Sequence, residues 1–209
     1  MTPRAEAGDA FSIRAAAREA GAAPALVLDG ETWTYERLSS AVRAHAPRAH
    51  APGVPGPLDA RPAQWPSAGR RDLVGLLDAY AAFERRIPLV PVHPRGTAAE
   101  TGRYRERLGL GAGAAPESTA ESAVLLPTSG TTGLPKAVVL SRESLLAAVA
   151  ASAARLGWAS APSARGGGPV DDRWLRALPL AHIGGLSSVL RCLAARATVV
   201  VAPEEPFRA

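Results

Sequence analysis

The chain has 209 residues, 47% of them hydrophobic and 5% aromatic, and a formal net charge of +5. That length holds one fairly large domain or two small ones with room for a core. The positive charge is spread along the chain with no dense basic block among aromatics, which argues against nucleic-acid binding, and no apolar stretch is long enough to span a bilayer.

No signal-peptide core follows Met1. Residues 10–20 read as an amphipathic helix, with Phe11, Ile13 and Ala17 apolar and Gly21 ending it. Residues 25–28 and 32–34 flank Asp29-Gly30-Glu31, a hairpin signal. Thr34 is placed to cap a helix from Tyr35 to about Ala46. Residues 45–69 are rich in Pro, Ala and Arg, with a frayed strand candidate at 54–60. His45 and His50 read as solvent-exposed, because no Cys or acidic partner lies at metal spacing.

Residues 72–83 predict a helix with Leu73, Leu76, Leu77 and Tyr80 on one face. Residues 88–95 predict a short buried strand and a turn, in which His93 has no visible partner and reads as structural. A charged helix over 97–108 and a Gly/Ala/Pro/Glu linker over 109–122 follow. Ser141 is placed to cap a helix over 142–156, whose alanine-rich body suits close packing against a sheet. Residues 160–169 read as a loop, Asp171-Asp172 as a solvated turn, and 174–178 as a strand. A helix over 186–195 and a buried strand over 197–202 complete the pattern. Cys192, the lone cysteine, cannot form an internal disulfide and sits in an apolar run, so it reads as core in a reducing, cytoplasmic protein.

Two stretches carry chemistry. The first is Leu126-Pro127-Thr128-Ser129-Gly130-Thr131-Thr132-Gly133-Leu134-Pro135-Lys136-Ala137, between apolar runs at 123–126 and 137–140. It reads as strand, flexible loop, strand. Glycines let successive N–H groups converge on an anion, and Thr128, Ser129, Thr131 and Thr132 add hydroxyl donors. Lys136 adds a charge at the loop exit and is the only lysine in the chain, in a sequence whose other long basic side chains are all arginine. A ligand-free Ser/Thr/Gly-rich hairpin is the bland alternative. The stretch differs from a Walker loop, since Ala137 cannot hold a magnesium ion. The second stretch is Leu178-Pro179-Leu180-Ala181-His182-Ile183-Gly184-Gly185-Leu186, where a histidine stands between a strand and a glycine pair that opens a helix. Such a place suits a ligand wall, although a lone histidine is more often structural.

Ser129-Gly130-Thr131-Thr132-Gly133-Leu134-Pro135-Lys136 resembles the phosphate loop of the adenylate-forming (AMP-binding) superfamily, with Ala137 where that family usually has Gly. Trp33-Thr34-Tyr35-Glu36-Arg37-Leu38 resembles its hairpin-to-helix entry, and Val90-Pro91-Val92-His93-Pro94-Arg95 its Val-Pro-x-x-Pro-Arg segment. His182 and its neighbours resemble its Leu-Pro-aromatic-His-x-x-Gly segment, with Ala181 in the aromatic's place. Within the superfamily, 177–201 is most similar to o-succinylbenzoate–CoA ligases, on His182-Ile183-Gly184-Gly185-Leu186-Ser187 and Arg191.

The resemblance implies an α/β fold, the N-terminal part of a large domain with a sheet flanked by helices. It implies ATP, Mg2+ and coenzyme A, with a small aromatic carboxylic acid as substrate in menaquinone biosynthesis. Thr128, Ser129, Gly130, Thr131, Thr132, Gly133 and Lys136 would hold the ATP phosphates. His182, Gly184, Gly185 and Arg191 would line the acyl and coenzyme A pocket, with a solvent-facing helical role for Arg191 equally open. The family's adenine and ribose motifs and its small C-terminal domain with a catalytic lysine are expected to be absent from residues 1–209. The expectation is therefore an incomplete chain, inactive alone, whose partner could be a separate C-terminal portion. A non-catalytic interaction module and an adenylation domain serving a carrier protein are the alternatives.

Overall fold

The computed structural model describes residues 10–45, 65–67, 72–107, 122–128, 136–157 and 172–202. In chain order its elements are α1 (Ile13–Ala20), β1 (Pro24–Leu28), β2 (Glu31–Thr34), α2 (Tyr35–Ala44), β3 (Trp65–Ser67), α3 (Leu73–Arg85) and β4 (Leu89–Pro91). They continue as α4 (Ala98–Arg107), β5 (Ser122–Thr128), β6 (Lys136–Ser141), α5 (Arg142–Leu156), β7 (Arg173–Arg176), α6 (Ile183–Ala195) and β8 (Thr198–Val201).

Local chemistry sets the element ends. Ser12, Thr34, Asp72 and Ser141 each accept a hydrogen bond from the first turn of the helix that follows, which satisfies an otherwise orphaned N–H. Thr97 and Glu100 exchange such bonds ahead of α4, a capping box. Asp29 and Gly30 both take positive φ, 50° and 80°, the geometry of a two-residue hairpin between β1 and β2. Arg86 and Arg196 end α3 and α6 in the left-handed conformation. In both, the next residue's N–H returns to the helix, Ile87 to Ala82 O and Ala197 to Cys192 O, at 2.9 Å each.

The expected α/β architecture is present, with its strands divided between two four-stranded sheets, ordered β2-β1-β8-β7 and β3-β4-β5-β6. In the first, β8 runs parallel to β1 and β7; in the second, β3, β4 and β5 are parallel and β6 returns antiparallel to β5. The division arises because the hairpin at 24–34 pairs with strands near residue 200 and not with its neighbours in sequence. One apolar cluster spans both sheets and includes Phe11, Leu26, Leu76, Val124, Leu186 and Val199. Cys192 lies within it, and burial pushes its thiol up to about 12, as expected of a core residue. Among the described residues no helix is long and apolar enough to cross a membrane.

Several expectations differ from the structure. His45 is not solvent-exposed: its Nε2 lies 2.8 Å from Asp78 Oδ1, and both side chains are about nine-tenths buried. The partner was invisible because it comes from α3, a different helix. The strand candidate at 54–60 and His50 lie outside the described residues; the strand described nearby is β3. The alanine-rich body of α5 is mostly exposed; Leu145 and Ala153 are its buried residues. Helix α6 begins at Ile183, so Gly184 and Gly185 belong to its first turn.

Candidate functional site

The second sheet positions one half of the site. The β5–β6 ladder runs in register from Val124 and Leu140 to Thr128 and Lys136. Thr128 is exposed at the carboxyl end of β5, and Lys136 begins β6 directly opposite. Ser129, Gly130, Thr131, Thr132 and Gly133 lie outside the described residues. The described hairpin stems hold both ends of that loop at one sheet edge. Strand β4 runs parallel to β5 with Leu89 beside Val124, so its exit toward His93 lies at the same edge. In open parallel sheets, ligands bind outside the carboxyl ends of the strands.

The first sheet delivers the other half. Beyond β7, Leu178-Pro179-Leu180-Ala181 leads to His182, the residue that caps α6. His182 N–H donates to Pro179 O at 3.1 Å, closing a turn. The turn presses on the helix: a Cβ at Gly185 would stand 2.2 Å from Pro179 O and 2.6 Å from Leu178 O. Only a residue without a side chain fits there. At Gly184 the nearest atom to such a Cβ is Leu178 Cδ1, at 3.1 Å.

The His182 side chain makes no capping hydrogen bond and is exposed. Its ring instead meets His93 edge to face, with centroids 5.2 Å apart and planes at 84°. His93 leaves β4 through the turn His93-Pro94-Arg95-Gly96, closed by Gly96 N–H donating to His93 O at 3.0 Å. The His93 Nδ1 accepts from Arg95 N–H at 3.1 Å. Burial first, then the neighbouring His182 and Arg95, hold the His93 imidazole below its ordinary range. Leu178 and Ile183 flank His182 as exposed apolar side chains, 49% and 47% accessible.

The structure therefore places the ends of the glycine-rich loop and the exit toward His93 at one sheet edge, and sets His182, with Gly184 and Gly185 behind it, against His93. It does not bring Arg191 to them. Arg191 is nine residues beyond His182 on α6, roughly 13.5 Å along the axis and half a revolution round. Its guanidinium lies 5.3 Å from the Trp174 ring centroid, and it lines a small groove with Leu146, Val149 and Ala194. It is half-buried against Trp174, so it is not simply solvent-facing.

The contact of His93 with His182 is not visible in the sequence. The Pro-Val-His-Pro-Arg-Gly string signals a turn that sets a histidine at a strand exit, but nothing local shows that His182 awaits it. A separate cleft of about 260 Å³ between Phe83, Arg86, Ser122 and Arg142 lies at the amino ends of β4 and β5, the opposite edge of the sheet. Among the described residues no group of three His, Cys, Asp or Glu could hold a metal ion.

A protein family described as AMP-binding enzyme matches residues 79–209. A 2-succinylbenzoate–CoA ligase from Bacillus cytotoxicus is 33% identical over 87 residues, which are 42% of this chain and 16% of that enzyme. The o-succinylbenzoate coenzyme A synthetase of Bacillus subtilis, solved in complex with ATP and magnesium ion, superposes with a TM-score of 0.64 at 21% identity. That match covers 91% of this chain and 56% of the synthetase. The Vibrio cholerae adenylation domain AlmE, solved with glycyl-adenosine-5'-phosphate, gives 0.66 at 16% identity, covering 98% of this chain and 46% of that one. The chain thus spans about half the length of these solved proteins, and at such identities they show its fold.

Proposed function

The chain belongs to the AMP-binding enzyme family, and on that premise we propose that it forms the phosphate-binding and acid-binding part of an ATP-dependent acid–thiol ligase. The observation that carries this reading is that the β4 and β5 exits share one sheet edge, where the stems of a Ser/Thr/Gly loop end, and that the exposed His182 imidazole beyond β7 meets His93 beyond β4.

On this reading Thr128, Ser129, Gly130, Thr131, Thr132, Gly133 and Lys136 hold the β and γ phosphates of ATP. Magnesium would accompany those phosphates and offset their charge. The residues' contribution is position and charge, with no covalent step of their own. His182, with Gly184, Gly185 and the apolar side chains of Leu178 and Ile183, walls the acid. The acid carboxylate attacks the α-phosphorus, pyrophosphate leaves, and the thiol of coenzyme A then displaces AMP from the acyl-adenylate. An aromatic acid such as 2-succinylbenzoate is the proposed substrate, supported by identity to the Bacillus cytotoxicus ligase. Arg191 is assigned to packing against Trp174. Residues 1–209 are placed in the N-terminal part of the large domain.

The test is ATP–pyrophosphate exchange, run with the chain alone and with a C-terminal portion of a Bacillus relative supplied separately. Exchange that depends on an aromatic acid supports the reading. Exchange driven by amino acids instead would favour an adenylation domain serving a carrier protein. Lys136→Ala should weaken nucleotide binding by roughly 10- to 100-fold, since a charge-assisted hydrogen bond contributes about 1.5–3 kcal/mol. Unchanged nucleotide affinity would remove Lys136 from the site.

A further inference from the structure

We propose that His93 is a positioning residue that fixes the ring of His182 on the acid side of the candidate site, an inference that rests on the acid-binding role assigned above. His182 caps α6 without using its side chain, so the helix end does not hold its ring. The aromatic contact described for that ring is His93. His93 itself is held twice. Pro94 and Gly96 shape its turn, and Arg95 N–H binds its Nδ1. A nitrogen that accepts carries no hydrogen, so the neutral His93 ring bears its proton on Nε2. Its orientation and tautomer are therefore set before any ligand arrives.

The groups facing the His93 ring are His182 from the start of α6 and Arg95 from its own turn. Both disfavour a second positive charge, as does partial burial. A neutral, fixed ring is a surface against which another imidazole settles edge to face. Freed of it, His182 gains rotamers, and a substrate acid must then order the side chain on binding. His93 thus tunes acid recognition from one layer behind the wall.

Two substitutions separate the ring from the turn. His93→Phe keeps an aromatic ring and loses the acceptor; His93→Asn keeps an acceptor for Arg95 N–H and loses the ring. Nuclear magnetic resonance of the histidine ring carbons in the full chain reads the pair directly. In the wild type, His182→Ala should move the His93 resonance and raise its titration midpoint. His93→Asn should shift and broaden the His182 resonance, and His93→Phe should leave His182 nearer its wild-type environment. Unchanged His93 shifts and midpoint in His182→Ala would overturn the proposal, whatever the chain binds.

The second arm titrates 2-succinylbenzoate. His93→Asn should weaken the acid about five- to twentyfold with ATP affinity unchanged, and His93→Phe should restore most of the loss. If the ring pair is coupled but the wild type binds no acid, the acid-binding reading fails while the histidine contact stands. Equal loss of acid and ATP in both variants would make His93 a general structural residue and end the proposal.

Discussion

Gly185 and Gly184 are adjacent in sequence and opposite in tolerance. A methyl group at Gly185 meets two backbone carbonyls that cannot move without opening the 179–182 turn. Gly185→Ala should therefore cost about 2 kcal/mol or more. A methyl at Gly184 meets only the flexible end of Leu178, and alanine favours the helix, so Gly184→Ala should change stability by less than about 1 kcal/mol. Urea unfolding of the two variants checks the contrast, and equal losses would contradict the close approach. His93 makes a pH prediction. Its folded value is depressed, so the fold favours the neutral ring. That contribution is whole above the unfolded value near pH 6.5 and is lost as the pH falls through the folded one. The unfolding free energy of His93→Phe should therefore fall less steeply than the wild type's below about pH 6.5. Parallel pH profiles would show that His93 is not the group responsible.

At the scale of elements, long-range hydrogen bonds join residues 19–35 to residues 192–198, at the end of α6 and the start of β8. Tyr35 Oη donates to Ala197 O at 2.7 Å and lies 3.2 Å from Cys192 O, all buried. Thr198 Oγ1 donates to Pro24 O at 2.9 Å, and Arg196 Nε to Glu19 Oε2 at 2.8 Å. Tyr35→Phe should cost about 1–3 kcal/mol by leaving a buried carbonyl less satisfied, measured by chemical denaturation. A loss below about 0.5 kcal/mol would mean that Ala197 O finds other partners. Arg86 takes φ 55° with its side chain exposed, so Arg86→Gly should relieve a left-handed strain and stabilise by up to about 1 kcal/mol. A lower melting temperature in that variant would show that the Arg86 side chain outweighs its backbone strain. Element identity was legible because its signals are local: Ser12 and Asp72 aside, the caps Thr34 and Ser141 and the Asp29-Gly30 turn stand in the sequence beside what they control. The end of α3 at Arg86 was not legible, since the left-handed residue there is not glycine, whereas the end of α6 at Ala195 was. The burial of His45 was missed for another reason, that Asp78 reaches it from a separate helix.

For the whole molecule, strand pairing decides what meets at the carboxyl edge of the second sheet. The β5–β6 hairpin was legible because its partners flank one loop. The parallel pairing of β1 with β8 and the approach of β7's exit to β4's exit were not, because they join segments far apart in the chain. That approach is also what turns two separate motifs into one candidate site and leaves Arg191 outside it. The central claim is that nucleotide phosphates sit at the carboxyl edge of the β4–β5 pair, next to the His93–His182 contact. Amide chemical-shift mapping of the chain during titration with Mg-ATP tests this most directly. The largest changes are expected at Thr128, Lys136 and the residues between them, with smaller ones at His93 and His182. Changes concentrated instead around Arg86, Ser122 and Arg142, at the opposite edge of the same sheet, or no changes at 128–136 at saturating nucleotide, would contradict it.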